Sequence, residues 1–183
     1  GNQYIVPKSG KPIRGLIQDS IISAVFITKK DSFFDREYYQ QIVYFALESP
    51  LNSGLIKKIE LLPPTIFKPK PLWTGKQVIS TILKSLAHTS HYHKLFEGKG
   101  LNMDYKCKVG GEIWGGPNIL EGTVTIRDNE LLTGILDKNH IGNSEFGLIH
   151  SFYEMYGPDM IEQLISGFGR VFIHYLQYFH GFT

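Results

Sequence analysis

Three kinds of side chain in this 183-residue chain could do chemistry, and each has a plainer reading beside it. His88, His91 and His93 form a His-x-x-His-x-His set that offers imidazole nitrogens to a metal ion. The loop around them supplies no nearby carboxylate or thiolate to complete a coordination shell, so a solvated loop accounts for them as well. Asp31 and Asp35 flank Phe33-Phe34 and could form a pair of acids, yet Asp35 already suits the N-cap of a helix. Cys107 lies between Lys106 and Lys108, which favour a thiolate, but nothing in the sequence orders a histidine or asparagine partner for it. Gly110-Gly111 and Gly115-Gly116-Pro117 lack the strand-then-helix setting of a phosphate loop.

The basic residues say more. Lys68, Lys70 and Lys76 sit on or beside a proline-rich stretch, with Trp73 between them. Positive charge on a rigid path can touch phosphates at little ordering cost. The plainer alternative is a solvated strap that buries Trp73. A second polar spot is Asp137-Lys138-Asn139-His140, read as a loop just after a strand.

These residues must be positioned by elements that the pattern also predicts. Residues 2–17 carry Pro7, Gly10, Pro12 and Gly15, which suit loop and short strand. Asp19 or Ser20 can cap a helix reaching about Lys29. Asp35 caps a firmer one from Arg36 to about Glu48, with Tyr39, Ile42, Val43 and Ala46 at helical spacing and Pro50 as its stop. Residues 61–73 hold Pro63, Pro64, Pro69 and Pro71, which forbid helix and impose an extended path. Thr74-Gly75-Lys76-Gln77 then has the Thr-x-x-Gln form of a capping box, opening a helix to about Leu86.

Residues 87–118 show little periodicity and read as an irregular insertion. Leu120–Ile126 alternates as a strand, Arg127-Asp128-Asn129-Glu130 turns, and Leu131–Leu136 returns beside it. Asn143 or Ser144 caps a helix ending at Tyr156, and Gly157 sits at its C-terminal turn. Pro158 opens a last helix to about Phe179, with a stripe from Ile161 through Leu164, Ile165, Phe168, Val171, Phe172, Tyr175 and Leu176. The fold class is α+β, helix-rich with a small antiparallel hairpin, in a single domain over residues 1–183.

Composition bounds the partners. Lys and Arg number 19 against 17 Asp and Glu, a net charge of +2, and 42% of residues are hydrophobic. That is ordinary globular usage and excludes a disordered tail. So small a charge exerts no long-range pull on nucleic acid or anionic lipid. One cysteine permits no internal disulfide and no Cys-rich zinc site, and a reduced compartment is expected. No apolar run approaches the roughly 20 residues of a membrane span. Gly1 in place of Met and the aromatic close near Phe182 read as the ends of an excised piece.

The stretch Leu62-Pro63-Pro64-Thr65-Ile66-Phe67-Lys68-Pro69-Lys70-Pro71-Leu72-Trp73-Thr74-Gly75-Lys76-Gln77 resembles the strap of the largest subunit of eukaryotic multisubunit RNA polymerases. Gly15-Leu16-Ile17-Gln18-Asp19, Leu132 to Lys138, and Gly147-Leu148-Ile149-His150 fit the same family in the same order. Asn2 to Pro7, Leu136 to Gly142 and Tyr153 to Pro158 resemble its polymerase I form. Thr28 to Arg36 is similar to polymerase III as well, and polymerase II relatives tend to carry two lysines where Lys138 and Asn139 stand.

The resemblance implies a pore domain that walls a secondary channel. Nucleotides would enter there, a backtracked RNA 3′ end would be extruded, and a zinc-ribbon cleavage subunit would reach in. It further implies a nuclear, nucleolar enzyme whose partners include the other polymerase I subunits and neighbouring domains of the largest subunit. Lys68, Lys70, Lys76, Gln77 and Lys138 are the candidate channel residues, with Gln18, Asp19, Trp73 and Thr74 in support. The family's Mg²⁺ triad, Asn-Ala-Asp-Phe-Asp-Gly-Asp, would lie ahead of Gly1, so the parent enzyme would hold Mg²⁺ outside this chain and the piece alone would be inert. Three rivals stand beside this reading: the same domain of the polymerase III largest subunit, an autonomous RNA-binding module using the strap, and a small thiol or metal enzyme around Cys107 and His88 to His93.

Overall fold

The computed structural model describes residues 18–29, 32–89, 100–106, 122–141 and 147–179. Asp31, His91, His93, Cys107, Asn143 and Ser144, and the glycine pairs at 110–111 and 115–116, lie outside them. Six helices and five short strands are described: α1 Gln18–Thr28, β1 Phe33–Phe34, α2 Arg36–Asn52, β2 Trp73–Thr74, α3 Gly75–His88, β3 Met103–Lys106, β4 Thr123–Arg127, β5 Glu130–Thr133, α4 Lys138–Ile141, α5 Leu148–Tyr156 and α6 Pro158–Phe179. The α+β class expected from the pattern is what the structure has. Among the described residues no helix is long and apolar enough to cross a membrane.

The centre of the molecule is α3. Val78, Ile79, Ile82, Leu83 and Leu86 are fully buried, and so are Thr81 and Ser85 on the same helix. A helix enclosed on every side must satisfy its polar groups internally. Ser80 Oγ donates to the Lys76 carbonyl and accepts the Leu131 N–H. Ser85 Oγ accepts the Glu60 N–H, and Thr81 Oγ1 donates to the Gln77 carbonyl. These small hydroxyls let β5 and the strap lie close against the helix. The long helix α6 covers the other side, packing on α1, α2, α3 and α5 through Ile161, Leu164, Phe168, Val171 and Phe172.

Asp35 caps α2, its carboxylate accepting the Tyr38 N–H at 2.9 Å. Pro50 does not stop that helix, which runs on to Asn52. A proline removes one backbone hydrogen bond and crowds the carbonyl four residues before it. The Ala46 carbonyl that would have received it faces Gly167 of α6, where an added Cβ would lie 3.4 Å away. Asp19 and Ser20 are not ahead of α1 but inside its first turn, where an acidic residue suits the helix dipole.

The hairpin is part of a three-stranded sheet, β3-β4-β5. Its edge strand β3 falls in the stretch expected to be irregular and pairs Met103 with Ile126 and Lys106 with Thr123. Arg127 makes a forked pair with Asp104 across the two strands, at 2.9 and 3.1 Å, and its hydrogen bonds hold that carboxyl below its ordinary range. At the turn, Asp128 and Asn129 both adopt left-handed φ, +50° and +63°. Asn129 is held there by its own contacts: its Nδ2 donates to Tyr156 Oη at 3.0 Å, and its N–H donates to the Leu101 carbonyl. Helix α5 begins at Leu148 behind Gly147, later than the cap expected at Asn143 or Ser144. Gly157, at φ +89°, then turns the chain into α6.

Candidate nucleic-acid interface

The proline strap does not run straight into α3. Between Ile66 and Leu72 it folds back, the Leu72 carbonyl accepting the Thr65 and Ile66 N–H groups and the Leu72 N–H returning to the Ile66 carbonyl at 2.8 Å. The loop so closed is Phe67-Lys68-Pro69-Lys70-Pro71, with a cis bond at Lys68–Pro69. Phe67, Lys68 and Lys70 are exposed along it, Phe67 to 67%. Prolines withhold backbone donors and fix φ, so this segment needs few partners of its own to keep its path.

Its base is pinned from both sides. Trp73 stacks on Tyr39 with ring centroids 5.0 Å apart, and its Nε1 donates to the Leu62 carbonyl at 2.8 Å. Tyr39 Oη accepts the Leu62 N–H and is bonded to Thr81 Oγ1. Burial pushes that phenol above its usual range. The Arg36 guanidinium lies 5.6 Å from the Trp73 ring. The capping box is present as written: Thr74 accepts the Gln77 N–H and Gln77 Oε1 accepts the Thr74 N–H, while Gln77 Nε2 donates to the Pro63 carbonyl at 2.7 Å.

The candidate residues therefore divide. Lys68 and Lys70 point a pair of positive charges to solvent from a pinned loop. Thr74, Gln77 and Trp73 build that loop. Lys76 departs from the sequence-based expectation: it is 9% exposed, and its ammonium donates to the Thr28 carbonyl at the end of α1. Facing the last carbonyls of a helix is a favourable place for a cation, which explains its burial. Gln18 and Asp19 open α1, ahead of Thr28, and Lys138 opens α4, well after the strap in sequence.

Two residues of the Asp137–His140 stretch are not solvated: Asp137 is buried just ahead of the short helix α4, and His140 within it is fully buried, its ring edge-on to Tyr105 at 5.5 Å. Nothing in the spacing of the sequence marked this histidine as a core residue. His88 likewise belongs to a polar cluster, 3.6 Å from Glu60 and 3.3 Å from Asp128, with Asn129 beside it. Among the described residues no three His, Cys, Asp or Glu side chains are placed to hold a metal ion.

The profile described as RNA polymerase Rpb1, domain 3, matches residues 3–183. The chain belongs to that family. It is 46% identical over its full length to the DNA-directed RNA polymerase I subunit rpa1 of Schizosaccharomyces pombe. It is 45% identical over 96% of its length to the polymerase I subunit RPA190 of Saccharomyces cerevisiae. The polymerase III subunit RPC1 of Debaryomyces hansenii is 31% identical over 96% of the chain. The polymerase I resemblance read from the sequence thus agrees with the higher identities. The chain spans about a tenth of the length of these relatives.

Proposed function

We propose that this chain is a non-catalytic, channel-lining domain of the largest subunit of RNA polymerase I. It would form part of the pore through which nucleotides enter and a backtracked RNA 3′ end leaves. One observation carries this reading: in a chain matching domain 3 over residues 3–183, the Phe67–Pro71 loop holds Lys68 and Lys70 in solvent on a path anchored by Trp73, Tyr39 and Gln77. Two charges on a fixed loop guide phosphates without trapping them, whereas a dense basic field would retain RNA. Lys68 and Lys70 carry the contact. Lys138 joins them as a candidate, while Lys76 ties the start of α3 to the end of α1.

Catalysis belongs elsewhere in the parent subunit, whose acidic triad would hold Mg²⁺ and supply the nucleotidyl transfer; this piece alone is expected to be inactive. Its partners in the assembled nuclear, nucleolar enzyme would be neighbouring domains, other polymerase I subunits and a zinc-ribbon cleavage subunit. The test uses polymerase assembled from the full-length largest subunit, stalled and backtracked on RNA with a photoreactive 3′ nucleotide. An adduct mapping to this domain, reduced by Lys68→Glu with Lys70→Glu, is the expected result. Adducts mapping only to other regions would overturn the proposal.

A further inference from the structure

The strap meets solvent along one line. Leu61, Pro63, Thr65 and Phe67 are exposed, whereas Leu62, Pro64 and Ile66 between them are half-buried. Past Ile66 the alternation ends, and Phe67, Lys68, Pro69 and Lys70 are all exposed at the fold-back. At 67%, Phe67 is the most exposed large apolar side chain among the described residues. A lone apolar residue on a surface is ordinary. This one differs in its neighbours and in its support. Lys68 follows it directly, Lys70 stands just beyond, and no acidic residue occurs between Glu60 and Glu97. Among the described residues neither lysine is paired with a carboxylate.

That combination has a specific chemistry. An aromatic face beside unpaired cations takes an unpaired nucleobase on the ring and its phosphates on the ammonium groups. The backbone beneath the ring is already tied by the pairing of Ile66 with Leu72 and stiffened by Pro69 and Pro71, so little ordering remains for binding. The same prolines select the form of the ligand. A free nucleoside triphosphate gathers its charge in one place and is held by successive backbone N–H groups. Pro69 and Pro71 interrupt any such run, which leaves two separate side-chain charges. Separate charges suit the spaced phosphates of a strand.

We infer that Phe67 is a stacking platform for one unpaired base of single-stranded RNA, with Lys68 and Lys70 taking the phosphates beside it. This rests on the channel reading above and adds to it a contact that depends on the base. Stacking is indifferent to sequence because every base has a π-face, so any transcript can use the platform. A single stack also holds a strand loosely enough to let it slide. Its removal lowers occupancy roughly five- to 150-fold.

The test uses polymerase assembled from the full-length largest subunit, stalled on RNA whose mismatched 3′ end favours backtracking. The equilibrium between backtracked and forward complexes is measured with intact RNA and with an abasic nucleotide stepped through the extruded segment. With intact RNA, Phe67→Ala and Phe67→Leu should shift it away from the backtracked state by about fivefold or more. Neither should change it once the abasic nucleotide occupies the platform. Phe67→Trp should keep the parent's value. Equal losses with intact and abasic RNA, or no loss with either, would overturn the inference. So would a raised KM for incoming nucleotide as the sole effect, or benzoylphenylalanine adducts from position 67 to protein alone. The photoreactive 3′ nucleotide separates the two readings. Adducts that reach this domain while the equilibrium ignores the base refute the stack and leave the channel standing; absence of those adducts removes both.

Discussion

His140 shows what a single residue can cost a fold. An ordinary histidine titrates near 6.5, but burial pushes this one down to about 4, against the pull of Asp137, whose carboxylate is 3.9 Å from Nε2. Among the described residues neither ring nitrogen has a hydrogen-bond partner. The folded chain is thus the weaker base, and acid favours the unfolded state. Stability from this residue is complete above about pH 6.5 and is lost as the pH falls through 4. At about 1.4 kcal/mol per pH unit the full loss is on the order of 3 kcal/mol. The urea midpoint followed from about pH 7 to about pH 4 should fall, and His140→Leu should flatten that slope; equal slopes in the two chains would refute it. The sequence could not have announced this, because a histidine in a polar run reads as solvated and its burial depends on β3 and α4 meeting. Lys76 was hidden for the same reason, since only the end of α1, 48 positions away, reveals why an ammonium is enclosed there.

At the scale of elements, the start of α3 was fully legible because a capping box spans four consecutive residues and needs no distant partner. Thr74→Ala should cost about 1 kcal/mol by the usual loss of an N-cap. Gly75 shows the opposite case. Its role is invisible in the motif, yet an added Cβ would stand 1.6 Å from the Ile27 carbonyl, so the α1 end and the α3 start must part to admit it. Gly75→Ala should therefore destabilise by about 3 kcal/mol, near the upper end for overpacking, and clearly more than Thr74→Ala in the same thermal melts; equal costs would mean the two helices are not so closely set. The stop expected at Pro50 failed because the proline rule is local, whereas Pro50 is buried in a helix held by packing against α6. Strand β3 was missed because its Met-Asp-Tyr-Lys alternation is only four residues long and its pairing partner β4 is some 20 positions on.

For the molecule as a whole, the division between a packed interior and an open loop separates stability from function. Lys68 and Lys70 are exposed, so Lys68→Glu with Lys70→Glu should leave the unfolding free energy within about 0.5 kcal/mol of the parent, as for surface changes generally. A loss well beyond that would show the loop to be structural, and any change in the assembled polymerase would then need another explanation. The α+β class and the strap were legible because the prolines and the helical stripes are local signals; the compact placement of α3 between β5, α2 and α6 was not, because it depends on contacts across the whole chain. The enclosed Lys76 has one more consequence. Amine acylation needs a free, accessible nitrogen, so a brief pulse of acetylating reagent should mark Lys68 and Lys70 at once and spare Lys76 while its ammonium is held at Thr28. Three lysines within nine positions thereby become a chemical clock for this domain: the ratio of label at 76 to label at 68 and 70, read by mass spectrometry, reports how often α1 and α3 come apart.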